Sequence, residues 1–173
     1  MNSEHIRVAT VEDAPGIAAV QVLTWQHAYR NQIPDSYLDS LSIEARTEKW
    51  RSNLTDGVEG KHPLVYVEDG RVLGWCTLGK NRDGDLLESV GELWGIYVLP
   101  DQQGKGIGKA LMNAGLDLLR KDGYSSATLW VLTSNAPSRA FYESQGWRVE
   151  GKTKIDPRDG FELHETRYII DLK

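Results

Sequence analysis

The chain has 173 residues, a formal net charge of −5 and 40% hydrophobic residues. This length suits one domain with a sizeable core, so we expect a single domain over residues 1–173. An acidic chain without a basic stripe does not favour a nucleic-acid surface, and no apolar run reaches the roughly 18 residues of a membrane span.

The N-terminus and the cysteine content indicate a cytoplasmic protein. The opening MNSEHIRVAT holds no long apolar run or cleavage-like site, so we expect no secretory signal. Cys76 is the single cysteine, which excludes an internal disulfide. It lies in the apolar run VLGWCTLGK, and we expect a buried packing thiol there. His62, His164 and the acids show no metal-ligand spacing, so we expect no metal site.

The first half of the chain is predicted to form a strand, two helical regions and a hairpin. HIRVAT alternates apolar and polar residues, as a strand does. Thr10 and Asp13 resemble a capping box that opens a helix as far as Tyr29. A second helical region is expected from about residue 35 to residue 53. LVYVE and RVLGWCTL are β-rich and are joined by Asp69-Gly70, a strong hairpin signal.

The second half is predicted to alternate strands and helices and to end in a strand pair. ELWGIYVL is a strand, and a helix follows from Ile107 to about Asp122-Gly123. SATLWVLT is a strand, NAPSRAFYESQ a short helix, and WRVEGKTKI pairs with FELHETRYII. The order β-α-α-β-β-β-α-β-α-β-β predicts an α/β fold, with a mixed, mostly antiparallel sheet and helices on both faces.

A glycine-rich turn, VLPDQQGKGIGKALM at residues 98–112, leads into the predicted helix after residue 106. It is not a P-loop, because Gln103 and Ala110 stand where that motif needs Gly and Ser or Thr. The dinucleotide fingerprint also fails, since Lys109 or Leu111 occupies its third glycine position. Open backbone amides at a helix N-terminus favour a pyrophosphate cradle. A plain turn from strand to helix is the alternative.

This stretch resembles the acyl-CoA motif of the GNAT superfamily of N-acetyltransferases. The signature is Gln or Arg, two residues, Gly, one residue, and Gly or Ala; Gln103, Gly106 and Gly108 match it in place. In NAPSRAFYESQGW, Asn135 followed seven residues later by Tyr142 resembles a second family motif. The predicted element order also agrees, so the resemblance covers essentially the whole chain and implies the GNAT fold.

The resemblance implies that acetyl-CoA is the acyl donor and assigns residues to its binding. Backbone groups of the strand before the turn would pair with the pantetheine arm, and amides of the turn would hold the pyrophosphate. Asn135 would hydrogen-bond the pantetheine, although it also suits a helix N-cap. Gly95 would mark a β-bulge or a close packing contact. The implied residues are Ile96, Tyr97, Val98, Gln103, Gly104, Lys105, Gly106, Ile107, Gly108, Lys109, Asn135 and Ser138.

The implied chemistry is direct attack of a primary amine on the thioester. Tyr142 matches the family's usual acid for the leaving thiolate, with a core aromatic as the alternative. Glu92 matches a position where many relatives carry a base, with a solvated strand-end glutamate as the alternative. Trp25, Tyr29 and Trp94 are candidates for cation–π contact with the substrate, although packing also explains them.

The substrate class is predicted less directly. Relatives that acetylate protein N-termini carry a glutamate five residues before the motif's asparagine, where this chain has Trp130. We therefore expect a small-molecule amine. A protein or peptide N-acetyltransferase and a non-catalytic acyl-CoA-binding module are the alternatives. Family members are often dimers, so the resemblance leaves a homodimer open.

Overall fold

The computed structural model describes residues 3–173. Over these residues, seven strands form a mixed sheet in the order β1-β2-β3-β4-β5-β7-β6. The pairs are antiparallel except β4 with β5, which run parallel. The strands are β1 (Ile6–Val8), β2 (Lys61–Glu68), β3 (Arg71–Lys80), β4 (Val90–Val98), β5 (Ser126–Leu132), β6 (Arg148–Arg158) and β7 (Phe161–Asp171).

The helices are distributed along the chain as the sequence predicts. They are α1 (Ala14–Ala28), α2 (Asp35–Ser40), α3 (Ile43–Asp56), α4 (Ile107–Lys121) and α5 (Ala136–Ser144). Short 3₁₀ turns cover Ser3–His5, Val11–Asp13 and Pro100–Gln102. Within the described range, every helix is too short or too polar to cross a membrane.

One predicted element is divided in two. The sequence predicts one helical region from about residue 35 to residue 53, but Leu41 and Ser42 are extended and separate α2 from α3. The Ser42 hydroxyl accepts the backbone N–H of Ala45 at 3.1 Å and so caps α3. Three helices therefore precede the first hairpin, where the sequence analysis expected two.

Two local signals are confirmed. Asp69 and Gly70 both have positive φ, 50° and 74°, as a two-residue hairpin turn requires. The Asp13 carboxylate accepts the backbone N–H of Thr10 at 2.8 Å, which joins the 3₁₀ turn to the start of α1. The Arg7 guanidinium also binds this carboxylate and lowers the pKa of Asp13.

Strand β3 places helices on opposite faces of the sheet. Trp75 points to one face, where its ring lies 4.8 Å from the ring of Trp50 in α3. Cys76 points to the other face, where its thiol lies 3.6 Å from the Leu111 carbonyl in α4. Cys76 has no exposed surface, so its expected packing role is confirmed, and burial raises its thiol pKa. Core side chains therefore pack on both faces of the sheet.

Candidate active site

Strands β4 and β5 separate in the middle of the sheet. They pair from Val90 and Ser126 as far as Leu93 and Leu129, and between residues 3 and 173 their ladder extends no further. Beyond that point β4 pairs only with β3, and β5 only with β7, over the described residues. The facing edges therefore present unpaired backbone groups to a gap.

A β-bulge marks the point of separation. Thr77 of β3 lies opposite Gly95, but Leu78 lies opposite Leu93, so Trp94 is the extra residue of β4. This confirms the bulge expected near Gly95. A Cβ on Gly95 would lie 3.1 Å from the Tyr97 ring, so close packing applies here as well.

The glycine turn places open amides at the end of this gap. Gly104 and Gly106 have φ of 77° and 84°, which glycine adopts without strain. No side chain among residues 3–173 caps the first amides of α4. The Gln103 side-chain amide donates to the Val98 carbonyl at 3.2 Å and ties the turn to β4. Open amides at the positive end of a helix fit a pyrophosphate.

A cavity of about 790 Å³ joins the turn to the gap. Of the site residues predicted from the sequence, all line this cavity except Glu92 and Lys105. Lys105 instead donates from Nζ to Gln102 Oε1 at 2.9 Å. The free strand edges and the amide cradle together fit an extended, phosphate-bearing arm such as that of coenzyme A.

Helix α5 places Asn135 and Tyr142 on the cavity wall. The Asn135 side chain accepts the Ser138 N–H at 3.3 Å and caps this helix, which confirms the N-cap interpretation. The ring of Tyr142 packs 6.3 Å from Trp147 and 6.4 Å from Tyr168. Burial raises the pKa of Tyr142 well above its ordinary range, so the hydroxyl keeps its proton.

Glu92 does not occupy a solvated strand end. Its side chain is 1% exposed, and both carboxylate oxygens bind Arg82. Arg82 donates its backbone N–H at 2.9 Å and Nε at 3.1 Å to Glu92 Oε2. Arg82 lines the cavity, whereas Glu92 does not. The role of Glu92 as base stays a prediction.

The predicted substrate residues also make packing contacts. Trp25 of α1 and Tyr29, the residue that follows this helix, meet edge to face at 5.0 Å, and both line the cavity. The Arg82 guanidinium lies 4.6 Å from the Trp94 ring. These aromatics therefore combine core packing with a position on the wall.

Charged residues far apart in sequence complete the wall, and the sequence analysis missed them. They are Arg82, Lys154, Asp156, Arg158 and Glu165. Alternating charges in the last predicted strand pair were the available signal. Strands β6 and β7 reach the site only because β7 pairs with β5, where Leu132 lies opposite Glu165.

The loop between β3 and β4 is held over the sheet by Arg167. This residue is 2% exposed and binds Asp83, Asp85 and Glu150 at 2.8–3.2 Å. The Trp130 indole N–H donates to Asp83 at 2.9 Å. These contacts fix the loop that carries Arg82.

The sequence model of the acetyltransferase (GNAT) family matches residues 22–147. The chain belongs to the GNAT acetyltransferase family. This GNAT protein is 36% identical to the uncharacterized N-acetyltransferase YuaI of Bacillus subtilis over 139 residues, covering 80% of this chain and 77% of YuaI.

Other relatives share a part of their length or the fold. The chain is 42% identical over 111 residues to the mycothiol acetyltransferase of Saccharomonospora viridis, covering 61% of this chain but 34% of that protein. The crystal structure of the PaiA N-acetyltransferase of Thermoplasma acidophilum in complex with coenzyme A superposes with a TM-score of 0.70. It is 22% identical and covers 93% of this chain and 96% of that one. This GNAT protein is therefore an acetyl-CoA-dependent N-acetyltransferase with the GNAT fold.

Proposed function

We propose that this N-acetyltransferase moves the acetyl group of acetyl-CoA to a primary amine of a small molecule. The observation that carries the proposal is the gap between β4 and β5. The gap connects the open amides at the N-terminus of α4 to the charged and aromatic side chains that line the cavity. A volume of about 790 Å³ lies within the roughly 300–1,000 Å³ of small-molecule sites.

The cofactor site follows from the free strand edge and the open amides. We propose that backbone groups of residues 96–98 hold the pantetheine arm, and that amides of residues 104–109 hold the pyrophosphate. Asn135 and Ser138 border the arm from α5. When bound, acetyl-CoA supplies an activated acyl carbon and a thiolate leaving group.

Tyr142 is proposed as the acid. Its hydroxyl stays protonated because burial raises its pKa, and it lines the cavity between α5 and the gap. It donates that proton to the leaving sulfur. Trp25, Tyr29 and Trp94 are proposed to contact the amine substrate with their ring faces or edges.

The test is release of free coenzyme A from acetyl-CoA with a panel of small amines and of peptides. Turnover with small amines and not with peptides supports the proposal. Turnover with peptides alone replaces it with protein or peptide acetylation. Binding of acetyl-CoA without transfer to any acceptor would leave a non-catalytic binding module.

The organisation of the protein is also part of the proposal. We propose one N-acetyltransferase domain over residues 1–173, because strands from β1 to β7 share one sheet. A homodimer and a cytoplasmic location stay predictions. Sedimentation velocity and fractionation of the host cell, respectively, test them.

A further inference from the structure

Glu165 lies on the cavity wall at a point where β5, β6 and β7 meet. It stands opposite Leu132 of β5 and opposite Lys154 of β6. Its side chain is 18% exposed and lines the cavity. The residue is thus a largely enclosed carboxylate on the wall of the cavity.

The other candidate proton acceptors differ from Glu165. Both oxygens of Glu92 are bound by Arg82, and Glu92 does not line the cavity. Asp156 is 36% exposed and accepts a 2.7 Å hydrogen bond from Arg158. His27 also lines the cavity but is exposed.

The groups that face Glu165 come from three elements. Lys154 lies 3.6 Å from its Oε2, and Asp156 and Arg158 also act on it from β6. Tyr29, at the C-terminal end of α1, and Tyr97 of β4 are the titratable neighbours on the cavity side. Burial outweighs Lys154 and raises the pKa of Glu165 above that of an ordinary glutamate.

Tyr29 lies near both Glu165 and Tyr142, the proposed acid. Burial raises the pKa of Tyr29, and the nearby Tyr97, Tyr142 and Glu165 raise it further. Tyr142 and Glu165 are therefore both near the Tyr29 phenol, and both line the cavity.

We propose that Glu165 accepts one proton from the substrate ammonium group and so frees the nitrogen to attack. The inference rests on the acetyl transfer described above and holds for either acceptor class. The amine nitrogen loses one proton to the Glu165 carboxylate and forms the bond to the acyl carbon. The carbon–sulfur bond breaks, the sulfur takes the Tyr142 proton, and the second amine proton restores the Tyr142 hydroxyl. Glu165 then releases its proton to solvent.

The test is the pH dependence of kcat with both substrates saturating, using whichever amine or peptide the acceptor panel identifies. We choose kcat because titration of the free amine enters kcat/KM. In the wild type, kcat rises with pH as Glu165 loses its proton. Glu165→Gln should lose this rise and about 10²-fold or more of kcat, while calorimetry finds its acetyl-CoA affinity unchanged.

Neighbouring variants separate a proton acceptor from a structural residue. Lys154→Met removes a nearby cation and should move the rise to higher pH, whereas Asp156→Asn removes an anion and should move it to lower pH. Glu162→Gln is the matched control. It is the same change on the same strand, with a side chain 59% exposed and outside the cavity lining, and it should leave the profile unchanged.

A direct titration gives a readout independent of turnover. Carbon-13 NMR of the side-chain carboxyls, with Glu165 assigned from the Glu165→Gln variant, should show it titrating above the ordinary glutamate value of about 4.3. An ordinary midpoint overturns the inference. So does a Glu165→Gln enzyme that keeps the rise, or a Glu92→Gln or His27→Gln enzyme that loses it. If the acceptor panel shows turnover only with peptides, the small-molecule proposal is overturned. The pH profiles, measured with a peptide acceptor, then decide whether Glu165 accepts the proton.

Discussion

The Arg82 guanidinium binds the buried Glu92 carboxylate, with Nε 3.1 Å from Glu92 Oε2. Glu92 is 1% exposed, and the Arg82 side chain is 53% exposed. A buried anion is thus neutralised by a cation that also forms part of the cavity wall. Glu92 therefore positions Arg82, whether Glu92 or Glu165 accepts the proton of the amine.

We expect Glu92→Gln to lower the free energy of unfolding by about 1–3 kcal/mol, because charge-assisted hydrogen bonds to Arg82 are lost. Urea denaturation measures this loss. Glu162→Gln, which changes an exposed carboxylate 3.3 Å from His164, serves as the control and should cost about 1 kcal/mol or less. Equal midpoints for the two variants would contradict the importance of the Arg82 pair.

Tyr142→Phe should lower kcat by about 10²-fold or more, since the leaving sulfur loses its proton donor. The ring contacts with Trp147 and Tyr168 do not need the hydroxyl, so the affinity for acetyl-CoA should change little. Steady-state turnover and calorimetry measure the two quantities. Tyr66→Phe is the control, because Tyr66 is 4% exposed on β2 and lies outside the cavity lining. Unchanged turnover in Tyr142→Phe would remove Tyr142 from the mechanism.

Gly106→Ala should weaken coenzyme A binding at the N-terminus of α4. Gly106 has φ of 84°, so an alanine there is strained by about 1–2 kcal/mol and shifts the open amides. Gly123→Ala introduces similar strain, at φ of 90°, beyond the far end of the same helix. Both variants should lose stability in thermal unfolding, but only Gly106→Ala should show a higher Kd. Matching Kd values for the two would argue against the cradle.

Arg167→Met should destabilise the protein by about 3 kcal/mol, because it leaves the acids around a buried cation unpaired. Arg167 lowers the pKa of Asp85 and of Glu150. Their contribution to stability is therefore present above the unfolded pKa values of about 4 and is lost as the pH falls below them. The wild type should lose stability on acidification more steeply than the variant.

The control for this prediction is Arg148→Met. Arg148 is 57% exposed and pairs with Asp171 at 3.2 Å, so its loss should cost under about 1 kcal/mol. Urea titrations between pH 3 and pH 7 compare the variants. Parallel pH profiles for the wild type and Arg167→Met would show that the network around Arg167 contributes nothing to the acid response.

Local sequence signals predicted the elements that we propose to bind the cofactor. The glycine turn, the Asn135 cap and the bulge near Gly95 each depend on a few adjacent residues, so spacing was sufficient to find them. Glu165 and Arg82 could not be found in this way. Glu165 reaches the cavity through the pairing of β7 with β5, and Arg82 through a loop that Arg167 binds from 82 and 84 residues away in the sequence.

Trp130 illustrates the same limit. From the sequence it was informative only as a departure from relatives that carry glutamate there. In the structure its indole N–H binds Asp83, and its ring lies 4.2 Å from Lys154 Nζ. It therefore joins the loop before β4 to the wall that contains Glu165.

The extra residue in β4 reverses the inside-outside alternation of everything that follows it in the strand. Glu92 lies opposite Gly79, and Tyr97 lies opposite Trp75, so an even-numbered and an odd-numbered residue share one face. Deleting Trp94 would remove the bulge and restore a regular alternation, in which Ile96 and Tyr97 still lie opposite Cys76 and Trp75. The residues on either side of the bulge therefore already follow one continuous pattern against β3, and Trp94 is the residue added to it.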